Sequence, residues 1–167
     1  MSEFLFIIIV LLLLLWGYYF FSLLRLEKKI IIAFNDLDKY LYKRIYLLYK
    51  MMDIIKVYNK FEFEEFNSKL YDIIYGYKGL NINDKILINR EIISDIKRVL
   101  LFSDVYPEIK SDSKYMRFEK QIKKCNKNIL DKSNLYNKNV NDYYKRRNRL
   151  VGRIVTKVVL FNEFYLL

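Results

Sequence analysis

The sequence predicts an all-α protein in which an N-terminal transmembrane helix continues into an antiparallel three- or four-helix bundle. Three observations carry that expectation. Residues 4–24, FLFIIIVLLLLLWGYYFFSLL, form 21 consecutive uncharged positions, and at ~1.5 Å rise per residue such a helix matches the roughly 30 Å hydrocarbon core of a bilayer. Two later stretches place apolar residues at alternating spacings of three and four, the period of a packed helix face. One proline and four glycines in 167 residues leave few of the breaks that an all-β chain needs.

The first element is the anchor, residues 1–24, with Phe4, Leu14, Trp16 and Leu24 in the span. A cleaved signal peptide has a basic leading region, a shorter apolar core and small residues at its cut site. Here Met-Ser-Glu precedes the run and Tyr18, Tyr19, Phe20 and Phe21 crowd its end, so an uncleaved anchor is expected. Arg25, Lys28 and Lys29 follow the run while only Glu3 precedes it. Because cationic flanks resist translocation, the reading is a cell-membrane protein with its N-terminus outside and its C-terminal domain in the cytoplasm. Trp16, Tyr18 and Tyr19 suit the headgroup boundary.

Residues 25–149 are read as one helical-bundle domain. Leu26, Ile30, Ala33, Leu37, Leu41, Ile45, Leu48, Met52 and Ile55 make a seam with neither glycine nor proline from Arg25 to Tyr58, so anchor and first bundle helix are expected to form one rod. Phe61, Phe63, Phe66, Leu70, Ile73 and Ile74 mark a shorter helix or a continuation of the first, stopping near Gly76 and Gly79, where glycine can supply a positive φ. Asn81 and its neighbours offer capping oxygens for a helix with Ile86, Ile92, Ile93, Ile96, Val99 and Leu100 on its apolar face. That helix should end before Tyr106-Pro107, because proline pushes its predecessor out of the α region. Ser111-Asp112-Ser113 can cap the last long helix, whose seam reads Tyr115, Phe118, Ile122, Cys125, Ile129, Ser133, Tyr136, Val140 and Tyr143. Residues 150–167 form an amphipathic tail, too charged to span a membrane, for which the bilayer surface and the bundle are both open destinations.

The formal net charge is +11, and between Lys114 and Arg153 thirteen Lys/Arg face only Glu119, Asp131 and Asp142. Lys145, Arg146, Arg147, Arg149 and Arg153 are the densest group and the candidate anionic-surface residues. Anionic lipid, nucleic acid or an acidic protein would each relieve such a strip; compositional drift toward Lys, Asn, Ile and Tyr is the competing explanation.

Little in the chain points to catalysis. It has no histidine, which removes zinc sites and His-based triads, and no glycine-rich phosphate loop. Cys125, the single cysteine, lies on a seam and reads as a packed thiol. Glu62, Glu64 and Glu65 read as the wet side of an amphipathic turn, Asp36 and Asp38 point in different directions, and Asp38 is expected to pair with a cation on a neighbouring helix. Tyr136 and Tyr143 are seven apart on the seam and read as core rather than base-stacking platforms. No catalytic residue, metal or cofactor is expected.

Several of these positions also form a pattern. Tyr106-Pro107-Glu108-Ile109-Lys110, then Tyr136-Asn137-x-x-Val140-x-Asp142-Tyr143, together with Ser22-Leu23, Ala33-Phe34 and Asp38-x-x-Leu41-x-Lys43-Arg44, resemble the motifs of the LemA family over nearly the whole chain. The sequence departs from the family at Leu47–Asp53 (LLYKMMD), where an asparagine and a proline are usual, and at Arg147-Asn148-Arg149-Leu150 after the last helix. The family's bend in the first helix and its exit from the last are therefore not carried over. The resemblance implies an N-terminal anchor with a helical bundle, and structural roles for Asp38, Lys43, Arg44, Tyr106, Pro107, Tyr136, Asn137, Val140 and Tyr143. For function it implies little: one branch is associated with shaping magnetosome membranes and others are encoded near membrane proteases.

The expected function is a non-enzymatic membrane scaffold or membrane-organising module on the cytoplasmic face. An adaptor or regulator of a membrane protease or other integral protein is the second expectation, and a basic nucleic-acid-binding surface the third.

Overall fold

In the computed structural model, which describes residues 2–58 and 64–167, helix α1 runs unbroken over Ser2–Tyr58. Phe61, Glu62 and Phe63 lie outside the described residues. No proline interrupts the hydrogen-bond ladder of α1, so the helix continues without a proline break. Its two halves meet different surroundings. Phe4 to Leu15 are all exposed, and this stretch is long and apolar enough to cross a membrane. From Leu23 onward the same helix buries Ile30, Ala33, Phe34, Leu37, Leu41, Ile45, Leu48, Met52 and Ile55.

Helix α2, Glu64–Gly76, is followed by a single 3-10 turn, Tyr77–Gly79. The positive φ expected at Gly76 or Gly79 is absent: Gly76 sits at φ −78°, ψ −19°, and no described residue has a positive φ. The helix closes instead by tightening, with the Leu80 N–H donating to the Tyr77 carbonyl at 3.3 Å, which occupies terminal carbonyls without a left-handed residue.

Helix α3, Ile82–Val105, starts at Asn81, whose side chain accepts from the Asp84 N–H at 3.0 Å, and ends at Tyr106. Ile86, Ile92, Ile96 and Val99 are buried, but Ile93 is 43% exposed. It lines an open groove between α3 and the last long helix, so the inward face of α3 is narrower than its apolar pattern. Pro107 opens a short helix, α4, Pro107–Ser111, where a missing N–H costs nothing. Asp112 caps α5, Ser113–Arg147, by accepting from the N–H groups of Lys114 at 2.7 Å and Tyr115 at 2.9 Å. Along α5 the buried residues are Tyr115, Ile122, Cys125, Ile129, Ser133, Tyr136, Val140 and Tyr143, while Phe118 is half-buried.

Helices α1 and α5 share the most extensive contact of the fold. Arg44 meets Asn126, Phe34 meets Tyr136, Lys29 meets Asn139 and Tyr19 meets Arg146, so positions fall along α1 as they rise along α5. After Asn148 and Arg149 the chain turns into α6, Leu150–Val158. The turn is tight at Gly152, where a Cβ would collide with the carbonyl oxygens of Arg146 and Arg147. Residues 159–167 then run without regular structure along the packed helices, with Phe164 buried. All regular structure among the described residues is helical.

Candidate functional site

Three polar arrangements organise the packed helices. The first lies inside it. Asp38 of α1 accepts from the Tyr77 hydroxyl and from Lys85 Nζ of α3, each at 2.8 Å. Asn89 of α3, fully buried, donates to the Tyr77 hydroxyl at 3.3 Å and to the Lys85 carbonyl at 2.9 Å. Its own carbonyl and side-chain oxygens both receive Arg44 Nη2 at 3.0 Å, and Arg44 Nη1 reaches Asn126 of α5 at 3.4 Å. Arg44 is only 4% exposed and its Nε has no hydrogen-bond partner. Burial lowers its guanidinium to about 10, leaving it cationic at neutral pH, while burial and then the Asp38 charge raise the Tyr77 hydroxyl. Each polar group is held chiefly by another part of the protein, so the set acts as a pin joining α1, the 3-10 turn, α3 and α5. Lys43, the neighbour of Arg44, points into solvent.

The second arrangement holds the last residues of the chain. Tyr136, Tyr143 and Tyr144 donate their hydroxyls to the carbonyls of Tyr165, Asn162 and Phe164 at 2.8, 2.8 and 3.2 Å. Asn137 forms a pair with Leu167, donating to its carbonyl at 2.8 Å and accepting from its N–H at 2.9 Å. Glu27 of α1 accepts from the Asn162 N–H, and Asn83 and Arg90 of α3 bind the backbone at Glu163, Tyr165 and Leu166. An extended segment with no strand partner thereby finds partners for its backbone among side chains. Burial raises the hydroxyl of Tyr136, and that of Tyr143 to about 12. Val140 fills the space between them on the seam.

The third arrangement is a basic cleft of about 400 Å³ between α1 and the end of α5, beside the close of the uncharged run. Arg25 and Lys29 line it from α1, and Lys145, Arg146 and Arg149 from the other side; Asp142 is the one acid on its wall. Arg146 lies across the rings of Tyr18 and Tyr19, 5.1 and 4.3 Å from their centroids. Arg147 is drawn away from this surface, pairing with Glu163 at 3.4 Å and lying over Tyr144, while Arg153 projects from α6. Of the five cations in the densest group, three therefore converge. Their two further partners, Arg25 and Lys29, come from more than a hundred residues earlier, and the charge density of either helix alone does not reveal the pairing.

The remaining candidates are placed plainly. Phe4, Leu14 and Leu24 are exposed, and Trp16 stacks on Phe20 with ring centroids 5.4 Å apart. Tyr106 packs on Phe102 at 4.6 Å, and Pro107 begins α4. Glu64 and Glu65 are exposed. Cys125 is buried, which raises its thiol and makes it a poor nucleophile. Among the described residues no three acids or cysteines gather where a metal ion would be held.

The family model of the LemA family matches residues 33–167, a stretch that contains the interior pin and, apart from Glu27, the residues holding the tail. The chain belongs to the LemA family. No curated protein and no solved structure matches it. In this LemA-family chain the motif positions Asp38 and Arg44 serve the pin, and Tyr136, Asn137 and Tyr143 serve the tail. The family match ends short of most of α1: the apolar half, with Arg25 and Lys29, lies ahead of it. Sequence reasoning missed Tyr77, Lys85 and Asn89, and also Glu27, Asn83 and Arg90, since short-range pattern carries no mark of a distant hydrogen-bond partner.

Proposed function

We propose that this chain is a single-span, membrane-anchored scaffold, an antiparallel helical bundle held at the cytoplasmic face, without an enzymatic activity of its own. The supporting observation is the division of α1: its apolar half finds no cover within the molecule, while its continuation is the central helix of the core. Leaving Phe4 to Leu15 in water would cost the hydrophobic free energy of some dozen large side chains, which a bilayer removes. Because the helix is one rod, the orientation of the span and that of the bundle are mechanically coupled. A partner bound to the bundle would then be held at a set distance from the lipid, which is what a scaffold supplies.

The test is extraction and labelling in cells. Full-length protein should stay with the membrane through carbonate and high salt. A cysteine introduced at Ser2 in a Cys125→Ser background should react with an impermeant reagent from outside intact cells. Release by carbonate overturns the anchor, and labelling only after permeabilisation overturns the topology.

A further inference from the structure

We propose that the basic cleft between α1 and the end of α5 is a binding site for the phosphate headgroup of an anionic phospholipid. This deepens the membrane reading above and rests on it. The cleft lines up with the uncharged run in the way such a site requires. Its wall on α1 extends from Tyr18 to Lys29 and so straddles Leu24, where that run ends. Those eleven steps cover ~16 Å of helix, which reaches from the last apolar turn of the span through a headgroup layer roughly 5–8 Å deep.

Its chemistry is that of an anion site. Five cations face one carboxylate, and none of Arg25, Lys29, Lys145 and Arg149 forms an ion pair within the molecule among the described residues. Held together by the fold, like charges repel one another, and a phosphodiester entering between them replaces that repulsion with charge-assisted hydrogen bonds. The guanidinium of Arg146 is already oriented by the two tyrosine rings beneath it, which reduces the freedom it would lose on binding a planar edge of phosphate oxygens. A zwitterionic headgroup brings its own ammonium into this field and is disfavoured; an anionic one is not. A basic pocket beside a spanning helix, at headgroup depth, is the arrangement that suits anionic lipid.

The experiment uses the full chain in nanodiscs of phosphatidylcholine mixed with phosphatidylglycerol, and reads the lipids retained on the protein by native mass spectrometry. The site variant is Lys29→Gln, Lys145→Gln and Arg149→Gln together, all exposed positions, with Arg25 kept so that the flank of the span is unchanged. The control removes the same charge far along α5, at Lys120, Lys124 and Lys127. The parent and the control should retain phosphatidylglycerol in preference to phosphatidylcholine, and the site variant should lose that retention by roughly tenfold or more. Equal loss in site variant and control, or no preference in the parent, overturns the proposal. Displacement of the lipid by inorganic phosphate or glycerol 3-phosphate at millimolar concentration overturns the lipid as ligand and assigns the cleft to a soluble phosphate. Carbonate extraction of the parent separates the two readings: a parent chain that stays in the bilayer yet retains no anionic lipid refutes the cleft alone, and a parent chain that leaves it refutes the anchor.

Discussion

Replacing Asn89 by leucine should destabilise the fold far more than a near-isosteric change at a buried site ordinarily does. Its side-chain oxygen accepts from Arg44 Nη2 at 3.0 Å, and its amide donates to the Tyr77 hydroxyl and the Lys85 carbonyl. Leucine fills similar space and offers none of these contacts. Arg44, 4% exposed and with its Nε already unpartnered, would keep only the Asn89 carbonyl and the longer bond to Asn126. A hydrogen bond to a charged group is worth about 1.5–3 kcal/mol, and each of the two neutral bonds adds about 1, giving a loss of roughly 3.5–5 kcal/mol. For a chain of this size that lowers the melting temperature by about 7–20 °C. Arg44→Met should also destabilise, because it leaves the buried side-chain oxygen of Asn89 without its donor. The double variant removes both sides of the contact and should melt well above the sum of the single losses, with a coupling of at least about 1 kcal/mol. Thermal unfolding of the full chain in detergent, followed by circular dichroism at fixed protein and detergent concentrations, measures all four species. Additive losses, or an Asn89→Leu variant that melts like the parent, would show that the pin carries no stability and that the apolar seams suffice.

Three further outcomes are expected. Tyr143→Phe and Tyr136→Phe each remove one hydroxyl bond to the tail, worth about 0.5–1.5 kcal/mol; amide exchange at residues 162–167 should quicken while exchange in the middle of α5 does not change, and uniform quickening would contradict the local role. Gly152→Ala should loosen α6, because the new methyl group collides with backbone oxygens of Arg146 and Arg147 rather than with movable side chains; protease cleavage within 150–158 should increase, and an unchanged digestion pattern would refute the tight turn. Alkaline pH should unfold the protein: burial holds the Tyr143 hydroxyl at about 12 and also raises those of Tyr77 and Tyr136, whereas unfolded tyrosine ionises near 10. Their stabilisation is complete below about pH 10 and is lost as pH climbs toward 12. Arg44, lowered to about 10, acts with the opposite sign, since its burial penalty fades as it loses its proton, but three tyrosines oppose one arginine. Tyrosinate absorbance and loss of helix should rise together above pH 10; full ionisation of the tyrosines with helix intact would refute this.

What the sequence determined by itself is whatever depends on neighbours a few positions away. The alternating spacings of three and four located the buried faces of α1 and α5, because a helix returns to the same side at that period whatever it packs against. Asn81, Asp112 and Pro107 marked helix ends because caps and a missing N–H act within one turn. The length of the uncharged run, measured against a bilayer, identified the candidate span. The tertiary structure decided everything that joins distant parts of the chain. Gly76 closes its helix without the left-handed backbone that glycine permits, Ile93 lines an open groove, and the tail lies against the helices because side chains from α1, α3 and α5 meet its backbone. The same holds for charge. The late basic strip read as one surface is divided by the fold: Arg147 turns to Glu163, while Lys145, Arg146 and Arg149 are brought beside Arg25 and Lys29. Hydrogen bonds and electrostatic fields depend on distance in space, and between α1 and α5 that distance is set by packed seams that bring positions over a hundred residues apart into contact.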